Sequence, residues 1–272
     1  MTLPPTTPQT LIHLIAHFTA FLTVAIHTIL NERHIYPPTT FLSARKYNFP
    51  VRQSRHPKVC QWITDAVTAV SDQLLKGTLA RVALVIVDPE TYKPLERFVW
   101  DLTRLPVVPM GEVGTPLERE GGGAIGGQDG TTPPVDLEEQ FRAVMSQLSV
   151  VGGRLAPIPE GCTFTVSIEL KDEADPPIGH PQPWVPSQPG LQRTAGRQMN
   201  GQPSYSEEQK APPEQEQEQG SERREGADLG GVRALPVRTV EAGEMVFEMW
   251  IEEGKAKAET MQSSRADSSS FE

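Results

Sequence analysis

The last run of apolar residues, 234–253, places the strongest condition on the fold. It reads A-L-P-V-R-T-V-E-A-G-E-M-V-F-E-M-W-I-E-E. Leu235, Val237 and Thr239 share one parity. Met245, Phe247, Met249 and Ile251 share one parity after a Glu-Ala-Gly-Glu turn, so two short strands joined by a tight turn are predicted. A lone hairpin is barely stable in water, and this one must dock on an earlier part of the chain. Its only connection back is the polar stretch 186–233. A docked strand pair on such a tether is either a latch or an ordinary edge hairpin after an inserted segment.

The surface on which it docks must come from the other apolar stretches, 11–108 and 137–170. Only 37% of the 272 residues are apolar, and 13 of the 26 Pro and 16 of the 22 Gly fall between these stretches, in 109–136 and 171–233. That distribution fits one globular domain of about 200 residues interrupted by inserts. A net charge of −10 argues against a protein that holds a phosphate backbone by itself. Cys60 and Cys162 lie in apolar-periodic stretches and read as buried free thiols of a reducing compartment. The N-terminus is uncharged and rich in Pro and Thr, unlike a secretory signal.

Residues 11–30 are apolar enough to span a bilayer, but His13, His17 and His27 and three threonines interrupt them. Leu11, Leu14, Ile15, Phe18, Leu22, Ala25, Ile26 and Ile29 recur at helical spacing, which predicts a long buried helix with Thr10 as N-cap. His13 and His17 have no third ligand nearby and read as polar helix positions. Residues 35–51 read as a polar, extended connection. Pro57 suits the first turn of a second helix, with Val59, Trp62, Ile63, Ala66, Val67, Val70 and Leu74 on its apolar face and Gly77 after its end. Residues 82–87 form a continuous apolar run and read as a strand buried on both faces; residues 95–102 return antiparallel to it.

Residues 109–134 are Gly- and Pro-rich and read as a disordered loop. The G-x-G-x-x-G match at Gly121–Gly126 has no strand before it and no helix directly after it, so it is not a dinucleotide site. Asp136 and Glu139 form a capping box for a third helix carrying Leu137, Phe141, Val144, Met145 and Leu148. Residues 161–170 alternate as a strand, with Cys162, Phe164, Val166, Ile168 and Leu170 on one side. Trp184 stands alone in a polar neighbourhood, as a docking anchor or a stray exposed aromatic. Residues 186–232 lack the apolar surface to offset ordering. No nucleophile elbow, P-loop, paired Cys-x-x-Cys or buried carboxylate cluster is present. The sequence therefore predicts no enzyme, cofactor or metal site.

Several short motifs carry a resemblance. Val24-Ala25-Ile26-His27-x-Ile29-Leu30, Ile35-Tyr36-Pro37, Lys46-Tyr47-Asn48-x-Pro50-Val51, His56-Pro57, Gly161-Cys162-Thr163-Phe164-Thr165-Val166 and Leu235-Pro236-Val237-Arg238-Thr239 are similar to the HORMA accessory subunit of translesion DNA polymerase zeta. The resemblance covers residues 10–108, 135–172 and 233–255. It implies an α+β HORMA fold, three helices on a mainly antiparallel sheet with a C-terminal safety-belt hairpin. The implied domain is 10–255, with disordered inserts at 109–134 and 186–232, a belt over about 171–253, and polar ends at 1–9 and 256–272.

The implied role is a nuclear, non-catalytic adaptor in DNA damage tolerance. Its belt closes over a Pro-containing peptide of the polymerase's catalytic subunit, in a form of β-strand addition. Tyr36, Trp62 and Trp184 match the peptide-binding positions, although vertebrate members carry Tyr where Trp62 stands. Ala234, Glu248 and Trp250 match the surface for the C-terminal domain of a Y-family deoxycytidyl transferase, where two differ in chemistry from vertebrate Leu and Gln. Arg142 matches an arginine used when two HORMA subunits pair; as a residue it also reads as a solvated charge. On this reading neither nucleic acid nor membrane is bound directly. The alternatives are a spindle-checkpoint-type switch that inhibits a ubiquitin-ligase activator, and an autophagy-type scaffold.

Overall fold

The computed structural model describes residues 10–117, 137–171 and 233–258, together with Pro177 and Trp184. Asp136, residues 118–134 and the stretch 186–232 lie outside the described residues. The first helix, α1 (Leu11–Glu32), starts where Thr10 accepts a hydrogen bond from the His13 N–H at 3.3 Å. It is long and apolar enough to cross a membrane, but its apolar face is core: Leu14, Phe18, Phe21, Leu22, Ile26 and Ile29 are essentially inaccessible. His13 and His17 are exposed.

The stretch read as an extended connection is instead a hairpin, β1 (Phe41–Lys46) and β2 (Phe49–Ser54). Lys46 pairs with Phe49, leaving Tyr47 and Asn48 as a two-residue turn with φ of 53° and 52°. Two left-handed residues in succession match the right-handed twist of a hairpin. Neither is Gly, and Pro50 sits within β2, so the usual sequence signals are missing. The burial of Tyr47 among Phe21 and Phe141 offsets its backbone strain.

Helix α2 (Pro57–Leu75) begins with Pro at its first turn and stops at Gly77, φ 69°. A Cβ there would meet the Val107 side chain at 2.7 Å. Next come β3 (Leu79–Val87), β4 (Pro94–Asp101), α3 (Leu137–Leu148), β5 (Thr163–Leu170), β6 (Arg233–Ala242) and β7 (Met245–Glu253). A fourth helix, one turn long, follows at residues 255–258. Residues 109–117 carry turns and an antiparallel bridge from Pro116 to Thr10.

The five-stranded sheet is antiparallel with order β5-β3-β4-β7-β6. One face packs on the helices through Val82, Leu84, Ile86, Phe98, Trp100, Phe247, Met249 and Ile251. Phe247 lies 5.5 Å from Phe18 and 5.7 Å from Phe21, and Phe21 stacks on Phe141 at 4.5 Å. The terminal hairpin therefore docks through the side chains that its alternation selects. A second cluster on the other face, Ala83, Val85, Val87, Val99 and Trp250, contains no helical residue.

A buried ionic network ties the end of the described chain to the core. Arg33 grips Glu96 through two nitrogens, at 2.9 and 2.7 Å, and donates to the Ala156 carbonyl at 2.7 Å. Lys257 pairs with Glu96 and, at 2.5 Å, with Glu253. Two positive and two negative groups thus neutralise one another where water is excluded, the condition under which buried charge is tolerated.

Candidate peptide-binding edge

Strand β5 pairs only with β3, so its other side is a sheet edge among the described residues. In an antiparallel strand alternate N–H and C=O groups point each way, and such an edge offers a row of backbone partners. β6, the next strand in the chain, lies at the opposite edge. Four strand spacings of about 4.8 Å separate the two edges, roughly 19 Å. Residues 171–232 connect them.

Beside this edge three aromatic rings meet. Trp62, on α2, contacts Phe164 of β5 edge-to-face, with centroids 4.9 Å apart and planes at 82°. Tyr36 also meets Phe164 edge-to-face, at 6.3 Å and 89°. Trp62 is 41% exposed, which settles whether it is core: it lies on the rim. Tyr36 is half-buried, and burial raises its phenol pKa. Phe164 was legible only as an inward strand residue. Its side of β5 is fully covered only at Ile168, while Phe164 and Val166 stay partly accessible. Trp184 is half-buried against the main core, and its indole N–H is buried without an acceptor.

Ala234, Glu248 and Trp250 share the sheet face turned from the main core, since Ala234 pairs with Glu252 in register and Glu248, Trp250 and Glu252 alternate along β7. Glu248 is exposed and Ala234 half-buried. Trp250, although on this outer face, is not bare: it is only 7% exposed. Alternation fixes which face a side chain takes, not what covers it. The ring belongs to the cluster with Val85 and Val99, and its N–H donates to Glu252 at 2.9 Å. Glu252 also receives Arg97 Nε at 2.8 Å.

Arg142 is half-buried and pairs with Glu139 one turn earlier on α3. Cys60 is half-buried and donates its thiol to the Ser54 carbonyl at 3.2 Å. Burial, with Asp88 and Glu96 nearby, pushes the Cys162 thiol up to about 11, leaving it protonated and unreactive. Among the described residues no cluster of three potential metal ligands occurs.

The HORMA domain family matches residues 15–189. The DNA polymerase zeta processivity subunit of Schizosaccharomyces pombe is 31% identical over 237 residues, covering 86% of this chain and 90% of its own. The mitotic spindle assembly checkpoint protein MAD2B of Homo sapiens is 34% identical over 154 residues, 57% of this chain and 64% of its own. In fold, a chain of the mitotic checkpoint complex crystal structure superposes with a TM-score of 0.56 at 16% identity, covering 88% of this chain and 97% of that one. Caenorhabditis elegans HTP-2 bound to a HIM-3 closure motif gives 0.51 at 13% identity, covering 92% and 94%. Polymerase zeta processivity subunits are non-catalytic accessory subunits, and with that relative at this identity and coverage, the chain belongs to the HORMA-domain family.

Proposed function

We propose that this protein is the adaptor of a translesion polymerase zeta, acting in the nucleus in DNA damage tolerance. A Pro-containing peptide of the catalytic subunit adds as a strand to the open edge of β5 and is held there by the belt, residues 171–253. Tyr36, Trp62 and Trp184 grip its side chains. The carrying observation is the free β5 edge with the Trp62–Phe164–Tyr36 cluster beside it, while β6 and β7 sit at the far side of the sheet. The buried Trp184 N–H without an acceptor suits a peptide carbonyl. The second partner, a Y-family polymerase's C-terminal domain, docks on the face of Ala234, Glu248 and Trp250, and Arg142 serves in pairing with a second HORMA subunit.

Affinity purification of the tagged chain after DNA damage, with partners identified by mass spectrometry, tests this. A B-family polymerase should co-purify, and Trp62→Ala should reduce its yield. The competing reading, a checkpoint-type switch, draws on the name of the vertebrate relatives. Recovery of a ubiquitin-ligase activator with no polymerase would establish it instead.

A further inference from the structure

No Asp or Glu occurs between Arg33 and Thr64, in a chain whose net charge is −10. Folding brings the cations of that stretch onto one part of the surface. Arg45, Lys46, Arg52, Arg55 and Lys58 are all exposed, with His56 among them. None of the five is in an ion pair with a described carboxylate. By register Ser43 faces Arg52 and Arg45 faces Pro50, so the two guanidinium groups are diagonal neighbours on the same side of the ribbon. The opposite side, through Ala44 and Val51, packs inward. A shallow concavity of about 470 Å³ at the hairpin is lined by Ser43, Ala44, Arg45, Asn48 and Pro50. Lys46 leans over the Tyr47 ring, 5.2 Å from its centroid. Glu138, at the start of α3, borders the patch closely enough to act on the Tyr47 hydroxyl.

Helix α2 adds to this field. Its first turn contains no acidic residue, His56 makes no side-chain cap, and Lys58 lies within that turn. The partial positive charge of its N-terminus is therefore uncompensated and adjoins Arg55 and the hairpin.

We infer that the β1–β2 hairpin and the start of α2 form a surface for the phosphate backbone of a nucleic acid, bound without sequence preference. Three features favour phosphates over an acidic protein. The cations stand on paired strands and a helix start, so little order is lost on contact. Three of the five are Arg, whose planar fork suits phosphate oxygens. On the hairpin itself no aromatic anchor of the kind that protein interfaces depend on stands among the cations, because Tyr47 is buried and Phe49 packs on the core. A six-residue strand spans roughly 20 Å, about six phosphates of one DNA strand at 3.4 Å each. The overall acidity keeps such binding weak in the free chain and confines it to this face.

The test uses the purified full chain and a fluorescently labelled 20-base-pair duplex, read by anisotropy from low to physiological salt. The parent should bind at low salt, with log affinity falling against log salt at a slope of about −4 for four to five neutralised phosphates. The triple variant R45E/R52E/R55E should lose at least tenfold in affinity and flatten the slope. R104E/R154E/R238E, with the same change in net charge on other surfaces, should change it less than twofold relative to the parent. Equal losses in the two triples, or no binding by the parent at low salt, would overturn the proposal. So would labelled polyglutamate binding the parent as tightly as the duplex does, which would mark the face as one for an acidic protein. None of these measurements involves the captured peptide, so they succeed or fail independently of the adaptor reading.

Discussion

The indole of Trp62 stands edge-on against the ring of Phe164, 4.9 Å away and at 82°. The contact joins the second helix to the outermost strand of the sheet, and Trp62 remains 41% exposed. Trp62→Ala should therefore leave the fold intact and weaken capture of the catalytic-subunit peptide. Aromatic anchors at interface centres cost about 2 kcal/mol or more on truncation. Titration calorimetry with that peptide, beside a circular dichroism melt, separates ligand loss from unfolding. A collapsed melt would show that Trp62 supports the fold instead.

Phe247 and Trp250 lie on opposite faces of β7, but both are buried. Phe247→Ala removes a ring from among Phe18, Phe21 and Phe141, and such truncations cost about 3–5 kcal/mol. Trp250→Ala should also destabilise, through lost packing on Val85 and Val99. The cleaner probe of the Y-family surface is Glu248, which is exposed. Glu248→Lys should weaken binding of that domain while the melting temperature and peptide affinity stay unchanged. If both partners lose affinity together, the assignment of the two faces fails.

Lys257→Met leaves Glu253 with Arg233, a partner half exposed to water, and takes one of two cations from Glu96. Breaking a buried ion pair from one side costs on the order of 3–5 kcal/mol. The loss should appear in urea melts and, more sharply, as faster amide exchange along β7. Exchange unchanged in β7 would show that the turn at 255–258 does not secure the hairpin.

His27 is buried and its Nδ1 accepts the Ser54 N–H at 3.3 Å, a bond that only the neutral ring can receive. Burial lowers its pKa below the usual 6.5. The unfolded chain then takes up a proton near pH 6.5 that the folded chain refuses. Stability accordingly falls as pH drops from about 7.5 to 5.5, and recovers as pH rises. Melts across that window should show the slope in the parent and a flatter profile in His27→Gln.

Deleting residues 186–232 while keeping 171–185 should preserve peptide capture. Fifteen extended residues reach up to about 50 Å, more than the roughly 19 Å between the two sheet edges. Shortening a loop changes closure entropy by only about 0.6 kcal/mol per halving. A tenfold loss of affinity in the deletion would give the insert a structural role.

Parity in the sequence was enough to place Met245, Phe247, Met249 and Ile251 on the core, and the run 82–87 as a strand covered on both faces. The pairing of β7 with β4, which puts the hairpin at the far edge from β5, is a long-range choice that local periodicity does not encode. The β1–β2 hairpin was hidden because Tyr47 and Asn48 take left-handed conformations without Gly, held by tertiary contacts of the Tyr ring. Tyr36 and Trp62 are reached through the family resemblance; Phe164, the ring that brings them together, carries only the signal of an ordinary strand residue.

On the proposed reading, in which the belt of residues 171–253 closes over a captured strand, the placement of β5 and β6 at opposite edges of the sheet makes sheet and belt a closed ring. Covalent chain forms most of its circumference, and the β4–β7 ladder is one of its fastenings. A strand threaded through that ring cannot leave by sliding off a surface. Its escape waits on the parting of paired backbone, an event governed by local unfolding rather than by contact area. The lifetime of such a complex would then track the stability of β7 in its berth, and a partner of modest affinity could remain bound for as long as the fold stays shut.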